Sequence, residues 1–248
     1  MFVNYNAEYR GHRLEIMQPA DAKIVRALPL FSGMQDAHFA TLIEAGYLQR
    51  FPHRVVLVHE GEKPSFLHVL VEGSVEFFSV GRDRDTTLSF LKPPSAFILA
   101  AVVLDQLYLK SARTTQGSVV VLIPAEAVRD VFDKDPAFAR SVVAELALRY
   151  RGLVKDLKNQ RLRTSLERLA NWILAHNEQI GRPGSFKLPI EKKALANLLG
   201  MRPENLSRSF AELADLGVEV DGAKVTIVRM AALTEFARPD RLIDDPTT

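Results

Sequence analysis

Glu204, Ser207 and Arg208 stand at i, i+3 and i+4, a spacing that groups three side chains on one face of a helix. Together they offer the chemistry for reading base edges. Arg presents a planar fork that matches guanine O6 and N7, Glu accepts from cytosine N4, and Ser reaches a base edge or a phosphate. Behind them Leu206, Phe210 and Leu213 repeat at four and three, the stripe that would anchor such a helix. The plainer alternative is a solvent-facing helix with an i,i+4 Glu–Arg pair. Asn205 lies in the same stretch, and Lys192 and Arg202 are placed for phosphates.

A reading helix needs a scaffold, and the neighbouring sequence describes one. Residues 194–199 form a short helix, Gly200 supplies a turn that costs glycine little, and Pro203 suits the first position of the next helix. After that helix, residues 218–220 and 225–228 flank Asp221-Gly222, a two-residue hairpin signal. Upstream, residues 166–176 carry Leu169, Trp172 and Ile173 on one side, and residues 188–190 suggest a short strand. Helix, turn, helix and hairpin in this order describe a winged helix-turn-helix over residues 164–238, followed by a mobile tail over 239–248.

Further upstream, Val143, Leu146, Tyr150, Leu153 and Leu157 alternate at three and four, with Gln160 next in step. A seam this narrow suits pairing with an identical helix, and packing on the chain's own core is the alternative. It defines a dimerisation helix and hinge over residues 135–163. Between residues 47 and 123, short runs rich in Val, Leu and Phe alternate with Gly or charged turns, including residues 81–85. That pattern predicts an antiparallel barrel or jelly roll, giving a sensor domain over 21–134 behind an irregular arm at 1–20. The fold class is therefore α+β.

The net charge of +2 excludes nothing, but its distribution is uneven. Residues 158–208 hold ten Lys/Arg against four Asp/Glu, whereas residues 209–248 hold four against eight. A basic block inside a neutral chain suits an anionic partner, or else a solvated helical face. With no cysteine, disulfides, thiolate zinc sites and cysteine-ligated iron–sulfur clusters are excluded. The longest apolar run, residues 96–104, is far short of the roughly 20 residues a membrane span requires. No signal peptide stands at the N-terminus, so a cytoplasmic protein without a membrane partner is expected. Nucleophile elbows, zinc-protease motifs, P-loops and dinucleotide fingerprints are all missing from the sequence, so an enzyme is not expected.

Over roughly residues 22–230 the chain resembles the Crp/Fnr superfamily of bacterial regulators. The segment Pro203-Glu204-Asn205-Leu206-Ser207-Arg208 is similar to the Glu-x-x-Ser-Arg signature of the Fnr and Dnr branches. The resemblance implies a homodimer on double-stranded DNA, with RNA polymerase as a partner. Its target would be a palindrome of TTGAT-like half-sites, set about 34 Å apart. Cyclic-nucleotide-binding members carry Gly-Glu and then Arg-Ser in the sensor; the aligned positions here are Leu99-Ala100 and Lys110-Ser111. The ribose-holding carboxylate is lost and Lys110 lacks the bidentate fork, so a cyclic nucleotide effector is not expected.

What remains is an apolar effector pocket lined by residues 97–104 with Lys110, Ser111 and His68 beside it. The resemblance to the Dnr/NnrR branch implies a haem-based response to nitric oxide and control of denitrification genes. Without Cys, His68 or His12 is the candidate axial ligand. The alternatives are a regulator without an effector and one that answers a cyclic nucleotide.

Overall fold

The computed structural model describes residues 17–81 and 85–245. His12 and most of the expected arm lie outside the described residues, as do residues 82–84 of the charged turn. The chain forms two compact units that divide between Leu148 and Arg149.

The first unit opens with three short helices, α1 (Pro19–Ala27), α2 (Pro29–Ser32) and α3 (Asp36–Ala45). Strands β1 (Tyr47–Phe51), β2 (Val56–Val58), β3 (Phe66–Glu72), β4 (Val75–Val80), β5 (Asp85–Leu91) and β6 (Ser95–Phe97) follow. After α4 (Leu99–Leu104) come β7 (Ser111–Thr114), β8 (Ser118–Pro124) and α5 (Ala125–Lys134). The strands build two antiparallel sheets, ordered β1-β8-β3-β6 and β2-β7-β4-β5, the interleaved order of an eight-stranded jelly roll.

Two apolar clusters explain why the runs in β3 and β8 do not alternate. Leu70, Phe97, Val120 and Leu122 face Leu57, Val75, Phe77 and Ala112 between the sheets. From the same strands Leu67, Val69, Val71, Val119, Val121 and Ile123 face the helices. A sheet covered on both faces reads as a continuous apolar run.

Helix α6 (Pro136–Leu162) passes from one unit into the other. Its start is fixed by the fully buried Asp135, whose Oδ1 accepts from the N–H groups of Ala137 and Phe138. Its Oδ2 accepts from the Gln35 N–H at 2.8 Å and lies 3.0 Å from His38 Nδ1. Burial alone would raise the Asp135 pKa; these hydrogen bonds outweigh it and hold the carboxyl at about 2. Along the seam Val143, Tyr150, Leu153 and Leu157 are exposed. Leu146 departs from the expected seam: it packs partly against the helical core of the first unit. Leu148 and Leu162, outside the heptad pattern, are exposed as well.

The second unit continues with α7 (Ser165–Gln179), β9 (Ser185–Lys187), α8 (Lys192–Leu198) and α9 (Pro203–Ala214). A hairpin of β10 (Val218–Asp221) and β11 (Lys224–Ile227) precedes α10 (Met230–Ala237) and α11 (Arg241–Asp244). Thr164 and Glu167 form a capping box at the start of α7. The third strand of this small sheet is β9, three residues ahead of the 188–190 segment expected from sequence. Pro189 has no N–H for a ladder, and Leu188 donates to the Ala223 carbonyl. Within the stretch expected as a mobile tail, α11 forms, capped by the Asp240 side chain and tied by Asp244 to Arg163, while residues 246–248 lie outside the described residues. Among the described residues, no helix is long and apolar enough to cross a membrane.

Candidate nucleic-acid interface

The interface is built on the α8–turn–α9 segment. Leu199 closes α8, and Gly200 then turns with φ of +65°, a left-handed conformation that L side chains rarely adopt. Met201 drops into the core, Arg202 caps α9 in extended geometry, and Pro203 takes its first turn. Leu206, Phe210 and Leu213 are buried with Leu169, Ile173 and Leu195, which fixes the rotation of α9 about its axis. Each such side chain contributes about 1.5–3 kcal/mol when fully buried. Ser209, not singled out from the sequence, is buried on the same side.

With that back face anchored, Glu204, Asn205, Ser207 and Arg208 are left exposed along one flank. Glu204 lies in the first turn, where a carboxylate is favoured by the helix dipole. Among the described residues neither Glu204 nor Arg208 has an ion-pair partner, so the i,i+4 pair weighed above does not form. Ser207 Oγ donates to the Pro203 carbonyl at 3.3 Å, a weak bond that a base or phosphate acceptor can replace. Arg202 is exposed at the helix start, and Lys192 is exposed with its ammonium 5.6 Å from the Phe210 ring centroid.

A residue missed in the sequence reading holds this turn in place. The buried Arg168 of α7 donates from Nε to the Leu199 carbonyl at 2.9 Å and from Nη1 to the Arg163 carbonyl at 2.7 Å. One guanidinium thus joins the hinge after α6 to the turn before α9. An arginine in an amphipathic helix carries no local signal for this, because both carbonyls come from other elements.

In the first unit the structure separates the residues grouped as an effector pocket. Leu99 does not line the space between the sheets: it packs with the helices, beside Val102 and Val128. Ile98, at φ of +60°, starts α4, so Ile98 and Ala101 turn inward while Leu99 turns out and Ala100 is exposed. A six-residue helix buries alternate sides of an apolar run, which is why residues 97–104 cannot all face one pocket. Lys110 does reach the inner face, with Nζ 3.7 Å from the Phe77 ring centroid. Ser111 is buried and accepts from the Glu60 N–H.

His68 points between the sheets, its ring 5.1 Å from that of Phe97. Burial pushes its pKa down to about 4, and backbone hydrogen bonds to Phe66 and Leu57 only partly offset this. The imidazole is therefore neutral near pH 7, with a single N–H that one of these carbonyls takes, so its other ring nitrogen keeps a lone pair. A ring whose one N–H meets a backbone carbonyl keeps its other nitrogen for a metal, so His68 retains the donor chemistry of an axial ligand. Gln49, which sequence reading passed over, pairs in register with Val120 and so faces the same interior. It is buried, and among the described residues neither its Nε2 nor its Oε1 has a hydrogen-bond partner.

Two domain families match the chain at these two places. The cyclic nucleotide-binding domain covers residues 48–135, and the Crp-like helix-turn-helix domain covers residues 167–236. The chain belongs to the Crp/Fnr family of transcription regulators. Members of the family are dimers that bind DNA. The transcriptional activator protein FnrA of Stutzerimonas stutzeri is 22% identical over 216 residues, covering 85% of this chain and 88% of that protein. The anaerobic regulatory protein of Pasteurella multocida is 22% identical over 194 residues, 73% of this chain and 68% of the relative. Among solved structures, FixK2 from Bradyrhizobium japonicum shares the fold with a TM-score of 0.65 and 18% identity, over 79% of this chain and 98% of that one.

Proposed function

We propose that this Crp/Fnr regulator reads a palindrome of TTGAT-like half-sites with Glu204, Ser207 and Arg208. Two α9 helices would be presented by a dimer paired along Val143, Tyr150, Leu153 and Leu157. The observation that carries this reading is the split of α9 into a buried apolar back and an exposed Glu-x-x-Ser-Arg flank. Selection from random duplexes with the purified protein tests it. Arg208→Ala is expected to cost about 1–3 kcal/mol on the selected site and to relax preference at one base pair. Unchanged discrimination by that variant would remove Arg208 from the reading face. Recruitment of RNA polymerase belongs to the same reading, since a family regulator acts on transcription through it.

The effector in this reading is not a cyclic nucleotide, because Leu99 and Ala100 bring no polar group to a ribose. Added cAMP should therefore leave operator affinity unchanged. The unpartnered Gln49 amide between the sheets supports a small polar effector in that space. Control of nitrogen-oxide genes rests on the signature in α9. A haem, which would supply a site for nitric oxide, would take His68 or His12 as its axial ligand. Haemin titrations followed by the Soret band in the His68→Ala and His12→Ala chains decide between the two.

A further inference from the structure

Residues 239–245 make a set of contacts that a disordered tail would not. At Arg238 the backbone takes φ of +45°, which ends α10 and turns the chain back. Asp240 then caps α11, accepting from the Leu242 N–H, while its own N–H donates to Asp244 Oδ2. Asp244 receives both terminal nitrogens of Arg163 in a fork, at 2.7 and 2.5 Å. Lys155 Nζ donates to the Asp245 carbonyl at 2.6 Å, and Lys158 lies 4.0 Å from Asp240. Three cations of α6 and the hinge are thus met by one acidic segment of the same chain.

Arg163 links this segment to the interface. Its side chain is 7% exposed, so its pairing with Asp244 is only weakly screened by solvent. Its carbonyl is one of the two held by Arg168, whose other bond goes to Leu199 at the turn before α9. Gln160, one turn before the hinge, closes the same corner: a Cβ on Gly200 would come within 2.8 Å of its Oε1. A continuous polar path therefore runs from Asp244 through Arg163 and Arg168 to the turn that sets α9.

We propose that residues 239–245 are a clasp: Asp240 and Asp244 hold the hinge at residues 162–164 against the last turns of α6, and thereby position α9 for its operator. Arg163 and Asp244 are positioning residues in this device, not DNA contacts. The proposal rests on α9 as the reading helix, and the test keeps the two apart. The full chain is compared with a chain ending at Arg238, with Asp244→Asn, and with Arg163→Lys, which keeps the charge and loses the fork. Amide exchange is followed across the second unit, and affinity is measured for the selected site and for an unrelated duplex.

With the clasp removed, exchange in residues 159–168 and 199–202 should accelerate about tenfold, while the core of α7 stays protected. Affinity for the selected site should fall about tenfold and affinity for the unrelated duplex should not fall. Unchanged exchange at the hinge overturns the clasp, as does an equal loss on both duplexes. If the wild-type chain selects no sequence at all, the reading of α9 has failed, and the exchange data alone still decide the clasp.

Discussion

At the scale of single residues, the buried polar groups set how the fold responds to acid. His68 is held neutral with a pKa of about 4 against an ordinary 6.5. The unfolded chain takes up that proton first, so its contribution is intact above pH 6.5 and declines as pH falls to about 4. Asp135 works lower: its depressed pKa gives stability that is complete above 3.8 and disappears as pH falls through about 2. Urea midpoints measured from pH 7 to pH 2 should show both windows. His68→Leu should flatten the upper one, and a variant that keeps the wild-type slope there would rule out His68 as its source. Asp135→Ala removes the α6 cap and strands the Gln35 N–H, at a cost of about 1–3 kcal/mol near pH 7.

At the scale of elements, α6 and α9 show how far periodicity reaches. In α9 the stripe of Leu206, Phe210 and Leu213 was legible, because a single helix face against a single core repeats at the helical period. In α6 the same logic placed Leu146 in the seam, yet the helix changes partners along its length and Leu146 belongs partly to the first unit's core. The exposed remainder, Val143, Tyr150, Leu153 and Leu157, is where the proposed second copy would pack. Leu153→Glu places like charges opposite one another in such a seam, so the variant should sediment as a monomer at concentrations where the wild-type chain is dimeric. A dimer of unchanged stability would take Leu153 out of the interface. Shorter elements were harder to foresee: β6 and β9 have three residues each, and α4 six, too few to display a period.

At the scale of the whole molecule, the basic block read from residues 158–208 is not all available to an anion. Arg163 is taken by Asp244 and Lys158 lies beside Asp240, so part of the acidic C-terminal stretch neutralises part of the block within one chain. On α8, on α9 and in the turn between them, Lys192, Lys193, Arg202 and Arg208 are exposed. Arg202→Ala should weaken selected and unrelated duplexes alike and lower the magnitude of the salt slope by about 1. A change confined to the selected site would make Arg202 a base contact instead.

The sequence alone determined the order of the parts, the jelly roll, the helix-turn-helix with its wing, and the residues that α9 turns outward. These follow from local rules: strand and helix periods, glycine at a left-handed turn, and proline in a first turn. Tertiary structure decided which partner each group meets. It turned Leu99 away from the barrel interior, left Gln49 there without a hydrogen bond, and folded the acidic end onto the hinge through Arg163 and Asp244. Those two residues are 81 positions apart. No local pattern specifies such a pairing, because it depends on the path of every element between them.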